Sequence, residues 1–219
     1  MSAGERVDGP HQGQQLVTGG TDLADAEAAL ILTHGRGATA RGMIQLAAEV
    51  HREGVAALAP QAARRTWYPN SFLEPVERNE PGRSSGLQAV SDAITEVTDA
   101  GIPTERVMLV GFSQGACLAS EYLARTPRRY GGLAALSGGL IGETLADEYP
   151  GDLEGTPVFL GCSDVDPHIP EERVHETAAV LESMNADVTT RLYEGMGHGI
   201  NEDEMAAVSD MVTALVEDR

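Results

Sequence analysis

Short apolar runs along the chain alternate with longer stretches in which apolar residues recur every three or four positions. The short runs fall at residues 29–33, 55–59, 107–112, 133–136, 158–161 and 188–193. Most are continuously apolar, the pattern of strands covered on both faces. A weaker run at 14–18 suits an edge strand. The longer stretches predict helices at 42–52, 85–100, 114–125, 171–184 and 202–216. In the second of these, Leu87, Val90, Ile94 and Val97 share one face, and Gly101 followed by Pro103 supplies a stop. The last two helices begin with acidic residues, which suits the positive end of a helix dipole. Strand and helix alternate throughout, so the pattern predicts a single α/β domain spanning 1–219. Its sheet is mostly parallel, of about seven strands, with helices on both faces.

One segment breaks the alternation. Residues 60–83 form a long connection rich in Pro, Asn and Glu, holding Trp67, Tyr68 and Phe72. A connection of that length inside a compact domain reads as a substrate-side loop or lid. Residues 1–13 carry no apolar stretch and read as a loose, cytoplasmic N-terminus.

Composition adds a physical bound. Across 219 residues there are 34 acidic and 15 basic side chains, a formal net charge of −19, and every basic residue is Arg. Such a surface repels nucleic acid and anionic membranes. Its self-repulsion weakens in high salt, which points to a halophilic, salt-rich cytoplasm. The two cysteines, Cys117 and Cys162, sit in apolar surroundings and read as buried small hydrophobes. No HExxH motif is present and His34 has no spaced partner, so neither a metal nor a cofactor is expected.

The chemistry-bearing signal is Gly111-Phe112-Ser113-Gln114-Gly115. Alone the pattern is weak. Here it ends an apolar strand and opens a helix, where a tight turn projects the Ser hydroxyl outward and the glycines avoid a clash. Ser113 then needs a base. Only His168, His175 and His198 follow it; His175 reads as a surface position on a helix. His198 lies in Glu194-Gly195-Met196-Gly197-His198-Gly199, between the last predicted strand and the last helix, and is the candidate base. Two acids, Asp164 and Asp166, follow the preceding strand and remain alternatives on pattern alone. The oxyanion of an acyl intermediate needs two N–H donors. Gln114 supplies one; Arg36, in His34-Gly35-Arg36-Gly37 after the first long strand, is the second candidate. Trp67, Tyr68, Phe72 and Met196 are candidate substrate contacts, and so is Met43, although core packing explains Met43 equally well.

From about residue 29 to 216 the chain resembles the phospholipase/carboxylesterase family, which includes the acyl-protein thioesterases. The matching residues are Gly101-Ile102-Pro103 with Arg106, the Gly111–Gly115 motif, Asp166-Pro167 with Ile169-Pro170, and Tyr193-Glu194-Gly195-Met196 with His198. The resemblance implies an α/β-hydrolase fold and selects Asp166 as the acid. It implies oxyanion donors at Arg36 and Gln114, and an aromatic near the acyl site at Trp67. It also allows a homodimer, which no sequence feature demands. The better-known members have Leu where Arg36 stands and an acid where Ala38 stands, which argues against long-chain protein deacylation. The expected activity is hydrolysis of small to medium carboxylic esters or thioesters through an acyl-enzyme on Ser113. A peptidase, a perhydrolase or a C–C bond hydrolase uses the same triad. A non-catalytic scaffold is disfavoured because all three positions are filled. The Arg36 side chain is a candidate for selecting acidic substrates.

Overall fold

A computed structural model describes residues 7–146 and 149–217. Seven strands form one sheet: β1 (Leu16–Gly20), β2 (Ala28–Thr33), β3 (Val55–Pro60), β4 (Val107–Phe112), β5 (Gly132–Leu136), β6 (Pro157–Ser163) and β7 (Asp187–Tyr193). Their spatial order is β1-β3-β2-β4-β5-β6-β7, and every pair is parallel except β1 with β3. The connecting helices are α1 (Ala40–Glu49), α2 (Gly82–Asp99), α3 (Gln114–Arg125), α4 (Glu171–Ser183) and α5 (Glu202–Glu217). The predicted mostly parallel α/β sheet is therefore present, and each predicted element has a counterpart. The edge strand begins two residues later than its apolar run suggested, because residues 14 and 15 belong to the approach and β1 pairs across to Gly20.

The unbroken apolar runs have a simple cause. In β2, Ala29 and Ile31 enter one core, which α2, α3 and α4 cover, while Ala28, Leu30 and Leu32 enter the other, against α1 and α5. In β4, Val107 and Leu109 face the first core and Met108 and Val110 the second. Both faces are buried, so neither parity of the strand carries polar residues. Met43 lies in the second core, as packing alone required. Thr39 caps α1 by accepting a hydrogen bond from Gly42 N at 3.1 Å.

The expectation of a loose terminus through residue 13 needs correction. Residues 1–6 lie outside the described residues, but His11 is 4% exposed and bonded on both ring nitrogens. Its Nδ1 accepts from Ala63 N at 3.0 Å and its Nε2–H donates to Trp67 O at 2.8 Å. Burial lowers its pKa, consistent with that neutral tautomer. Among the described residues no helix is long and apolar enough to cross a membrane.

Candidate active site

Parallel strands with crossover helices leave their carboxyl ends at one edge of the sheet, where the loops collect. The loops after β2, β4, β6 and β7 meet there, and each brings at least one predicted site residue.

The loop after β4 is almost no loop at all. β4 ends at Phe112, Ser113 takes φ 55° and ψ −122°, and α3 starts at Gln114. A positive φ at a non-glycine residue is a strained conformation held by its surroundings. Ser113 N donates to Leu136 O at 2.9 Å, pinning the turn to β5, and Ser113 O accepts from Cys117 N at 3.0 Å, starting the helix. The two glycines of the motif are steric requirements. A Cβ on Gly111 would lie 2.6 Å from Ala116 N, and one on Gly115 would overlap the Thr33 carbonyl at the end of β2. Thr33 Oγ1 donates to Gly115 O at 2.8 Å, closing that contact.

His198 reaches the Ser from the loop after β7. Its Nε2 lies 2.9 Å from Ser113 Oγ and its Nδ1 lies 2.7 Å from Asp166 Oδ2. With the carboxylate ionised, Nδ1–H donates to Asp166, which leaves Nε2 to accept from the Ser hydroxyl. The ring is held laterally as well, by Phe112 at 5.1 Å between centroids and by His168 edge-on at 4.9 Å.

Asp166 has no exposed side-chain surface. Burial opposes its charge, but the His198 bond and the main-chain N–H groups of His168 (2.8 Å) and Ile169 (3.1 Å) outweigh it. They hold the carboxyl below the usual carboxylate range. Asp164, the alternative acid, does something else. Its Oδ1 accepts from Gly195 N at 2.8 Å, while Ser163 Oγ accepts from Gly197 N at 3.0 Å. These two bonds tether the His198 loop to the end of β6.

Arg36 and Gln114 line the same cleft as Ser113, and among the described residues neither main-chain N–H has a hydrogen-bond partner. The N–H of Gln114 is the first of α3, at the positive end of the helix dipole. Their side chains turn to the segment 67–70. Gln114 Oε1 accepts from Trp67 N at 2.9 Å and its Nε2 donates to Tyr68 O at 2.8 Å. The Arg36 guanidinium donates to three carbonyls, Tyr68 O, Pro69 O and Asn70 O, at 2.7–3.0 Å. Three of the five guanidinium N–H groups are thus engaged by the protein's own backbone, which fixes the side chain that sequence analysis offered as a selector of acidic substrates.

A cleft of about 490 Å³ opens over Ser113. Tyr68, Phe72, Cys117 and Ile169 line it together with Arg36 and His168. Two of the candidate substrate contacts, Tyr68 and Phe72, thus line the cleft. Trp67 is not among the lining residues; it is fully buried behind the wall and donates from Nε1 to His34 O at 2.8 Å. Met196 is absent from the lining too, because its Sδ turns toward Asn201 Nδ2 at 2.9 Å. Sequence reasoning left Ile169 and His168 unassigned to the cleft, although both lie within three residues of Asp166. Cys117 is no rival nucleophile: burial pushes its thiol up to about 11, so it stays protonated.

The phospholipase/carboxylesterase family model matches residues 22–216. The chain belongs to the phospholipase/carboxylesterase family. The solved structure of a phospholipase/carboxylesterase from Dyadobacter fermentans is 42% identical, with a TM-score of 0.88, covering 92% of this chain and 97% of that one. The acyl-protein thioesterase 1 of Kluyveromyces lactis is 35% identical over 128 residues, 57% of this chain and 56% of the relative. That of Yarrowia lipolytica is 26% identical over 210 residues, 87% and 91% of the two chains. The chain spans about half the length of the Candida albicans and Kluyveromyces lactis relatives it matches.

Proposed function

We propose that this family member is a serine carboxylesterase acting on small to medium carboxylic esters or thioesters. The observation that carries the reading is the continuous hydrogen-bonded line from Ser113 Oγ through His198 to Asp166, at 2.9 and 2.7 Å. Ser113 Oγ attacks the acyl carbonyl carbon as its proton passes to His198 Nε2. The carbonyl oxygen becomes an oxyanion held by the N–H groups of Arg36 and Gln114. Asp166 stabilises the imidazolium, which then protonates the departing alcohol or thiol. Water attacks the acyl-Ser113 ester with His198 as base, and the carboxylic acid leaves. The cleft floor of Tyr68, Phe72, Cys117 and Ile169 receives the acyl chain. With its net charge of −19 the enzyme is suited to a salt-rich cytoplasm.

The test is labelling by a fluorophosphonate, wild type against Ser113→Ala, in low and in molar KCl, beside p-nitrophenyl ester and peptide substrates. Wild type takes the label and cleaves esters. Ser113→Ala takes none and loses about 10⁴-fold or more in kcat. Labelling retained in Ser113→Ala, or peptide cleavage exceeding ester cleavage, would sink the assignment.

A further inference from the structure

Segment 68–70 lies outside every strand, and Pro69 has no N–H to pair. Its carbonyls are left to side chains or to water. Arg36 satisfies all three. Among the described residues, Pro69 O and Asn70 O have no hydrogen-bond donor besides Arg36. Tyr68 O is shared between Arg36 at 3.0 Å and Gln114 at 2.8 Å. The loop that carries Arg36 is also tied at its next residue, where Gly37 N donates to Arg65 O at 2.7 Å. Residues 36 and 37 are therefore bonded to both ends of the stretch that leads into the acyl wall. A guanidinium holds its donors in a rigid plane, which suits successive carbonyls; an ammonium is a single point.

We propose that Arg36 is a positioning residue that locks the acyl-side wall to the oxyanion loop, so that the fit of the acyl group is expressed in turnover. The proposal rests on reading Ser113 as the residue that takes up the acyl group. An acyl chain that packs on Tyr68 and Phe72 presses on a wall bonded to Arg36, and the main-chain N–H of Arg36 sits in the same loop. A chain too short to reach the wall leaves that linkage unused. Misplacing a donor by about 1 Å costs up to about a hundredfold in rate.

The experiment compares wild type, Arg36→Ala and Arg36→Lys on p-nitrophenyl esters from acetate upward in acyl length. Trp67, the chain's one tryptophan, gives a readout independent of activity through acrylamide quenching. In Arg36→Ala, kcat on the acyl length wild type prefers falls about tenfold to a hundredfold. The acetate rate falls by less than that, so the length profile flattens, and quenching of Trp67 rises. Arg36→Lys behaves the same way. Added guanidinium at millimolar concentration restores part of kcat in Arg36→Ala. A folded Arg36→Ala enzyme with the wild-type length profile overturns the proposal. So does an equal loss at every length with Trp67 quenching unchanged, or an Arg36→Lys enzyme that keeps the wild-type profile. Should Arg36→Ala fail to fold, Arg36→Lys decides. A wild-type protein that cleaves no ester and takes no fluorophosphonate overturns the esterase reading first and this inference with it.

Discussion

The sheet edge that carries Ser113 and the wall that faces it are built in opposite ways. The edge is a backbone construction. β4 turns at a single strained residue into α3, and the turn is held by main-chain bonds to β5 and by the close approach of Gly115 to the end of β2. The wall, residues 61–81 between β3 and α2, has only short helical turns at Ala63–Arg65 and Val76–Asn79. It is fixed by side chains that bond its main chain, several from far along the sequence: His11, Arg36 and Gln114, and within it Asn79, which bonds Asn70 N and Ser71 O. Reactive geometry is thus stored where few residues can substitute. The surface that contacts substrate is stored in replaceable side chains. A wall of that kind can be altered while the nucleophile stays in place.

The sharpest way to break this contrast is at Gly115. A methyl there overlaps the Thr33 carbonyl, and neither backbone has a flexible side chain to move aside. Gly115→Ala is expected to lose more than about 3 kcal/mol of stability, together with fluorophosphonate labelling. A variant with near-wild-type melting temperature and labelling would show that the elbow has slack, and that the edge is no stricter than the wall.

The same contrast explains what could be read beforehand. Ser113 was legible because strand, turn and glycines are adjacent in sequence and each is required by local sterics. His198 was legible because a Gly-rich loop lies between the last strand and the last helix. Asp166 and Asp164 could not be separated by pattern alone, since both follow β6 within a few residues. What separates them is a hydrogen bond to a ring 32 residues away in sequence. Trp67 was misplaced because an aromatic in an irregular loop looks like a substrate contact, whereas its indole N–H and its main chain are bound by His34 and Gln114. His11 was missed for the corresponding reason. A polar N-terminal stretch gives no local sign that one of its rings bonds two main-chain groups more than fifty residues on.

Glu204 marks where the edge borrows a side chain. It opens α5, just beyond the His198 loop, and forms a reciprocal cap. Asn201 N donates to its Oε2 at 2.9 Å, and Glu204 N donates to Asn201 Oδ1 at 2.8 Å. The side chain is fully buried against Gly161 of β6, and its Oε1 has no partner among the described residues. Burial pushes the carboxyl from an ordinary 4.5 up to about 7. A raised acid means the folded state holds the proton more tightly, so stability falls as pH rises from about 4.5 through about 7. Relative to Glu204→Gln, wild type should lose up to about 3 kcal/mol over that window. Parallel stability–pH curves for the two proteins would remove Glu204 as a titrating cap.

His11 gives the smaller effect and tests the wall. It is neutral and buried, donating to Trp67 O and accepting from Ala63 N. His11→Ala leaves both groups unpaired, at a cost of about 1–3 kcal/mol. Its lowered pKa sets the sign: the unfolded chain takes the proton first, so the stabilisation is full above the ordinary value of 6.5 and is lost as pH falls toward the folded pKa. The stability gap between wild type and His11→Ala should therefore narrow on acidification below about 6.5. Acrylamide quenching of Trp67 should rise in the variant, while fluorophosphonate labelling of Ser113 continues. That combination follows only if the wall loosens independently of the elbow. If labelling instead falls in step with the loosening of Trp67, wall and edge form one mechanical unit, and a substrate surface held by distant side chains is as binding on catalysis as the strained turn itself.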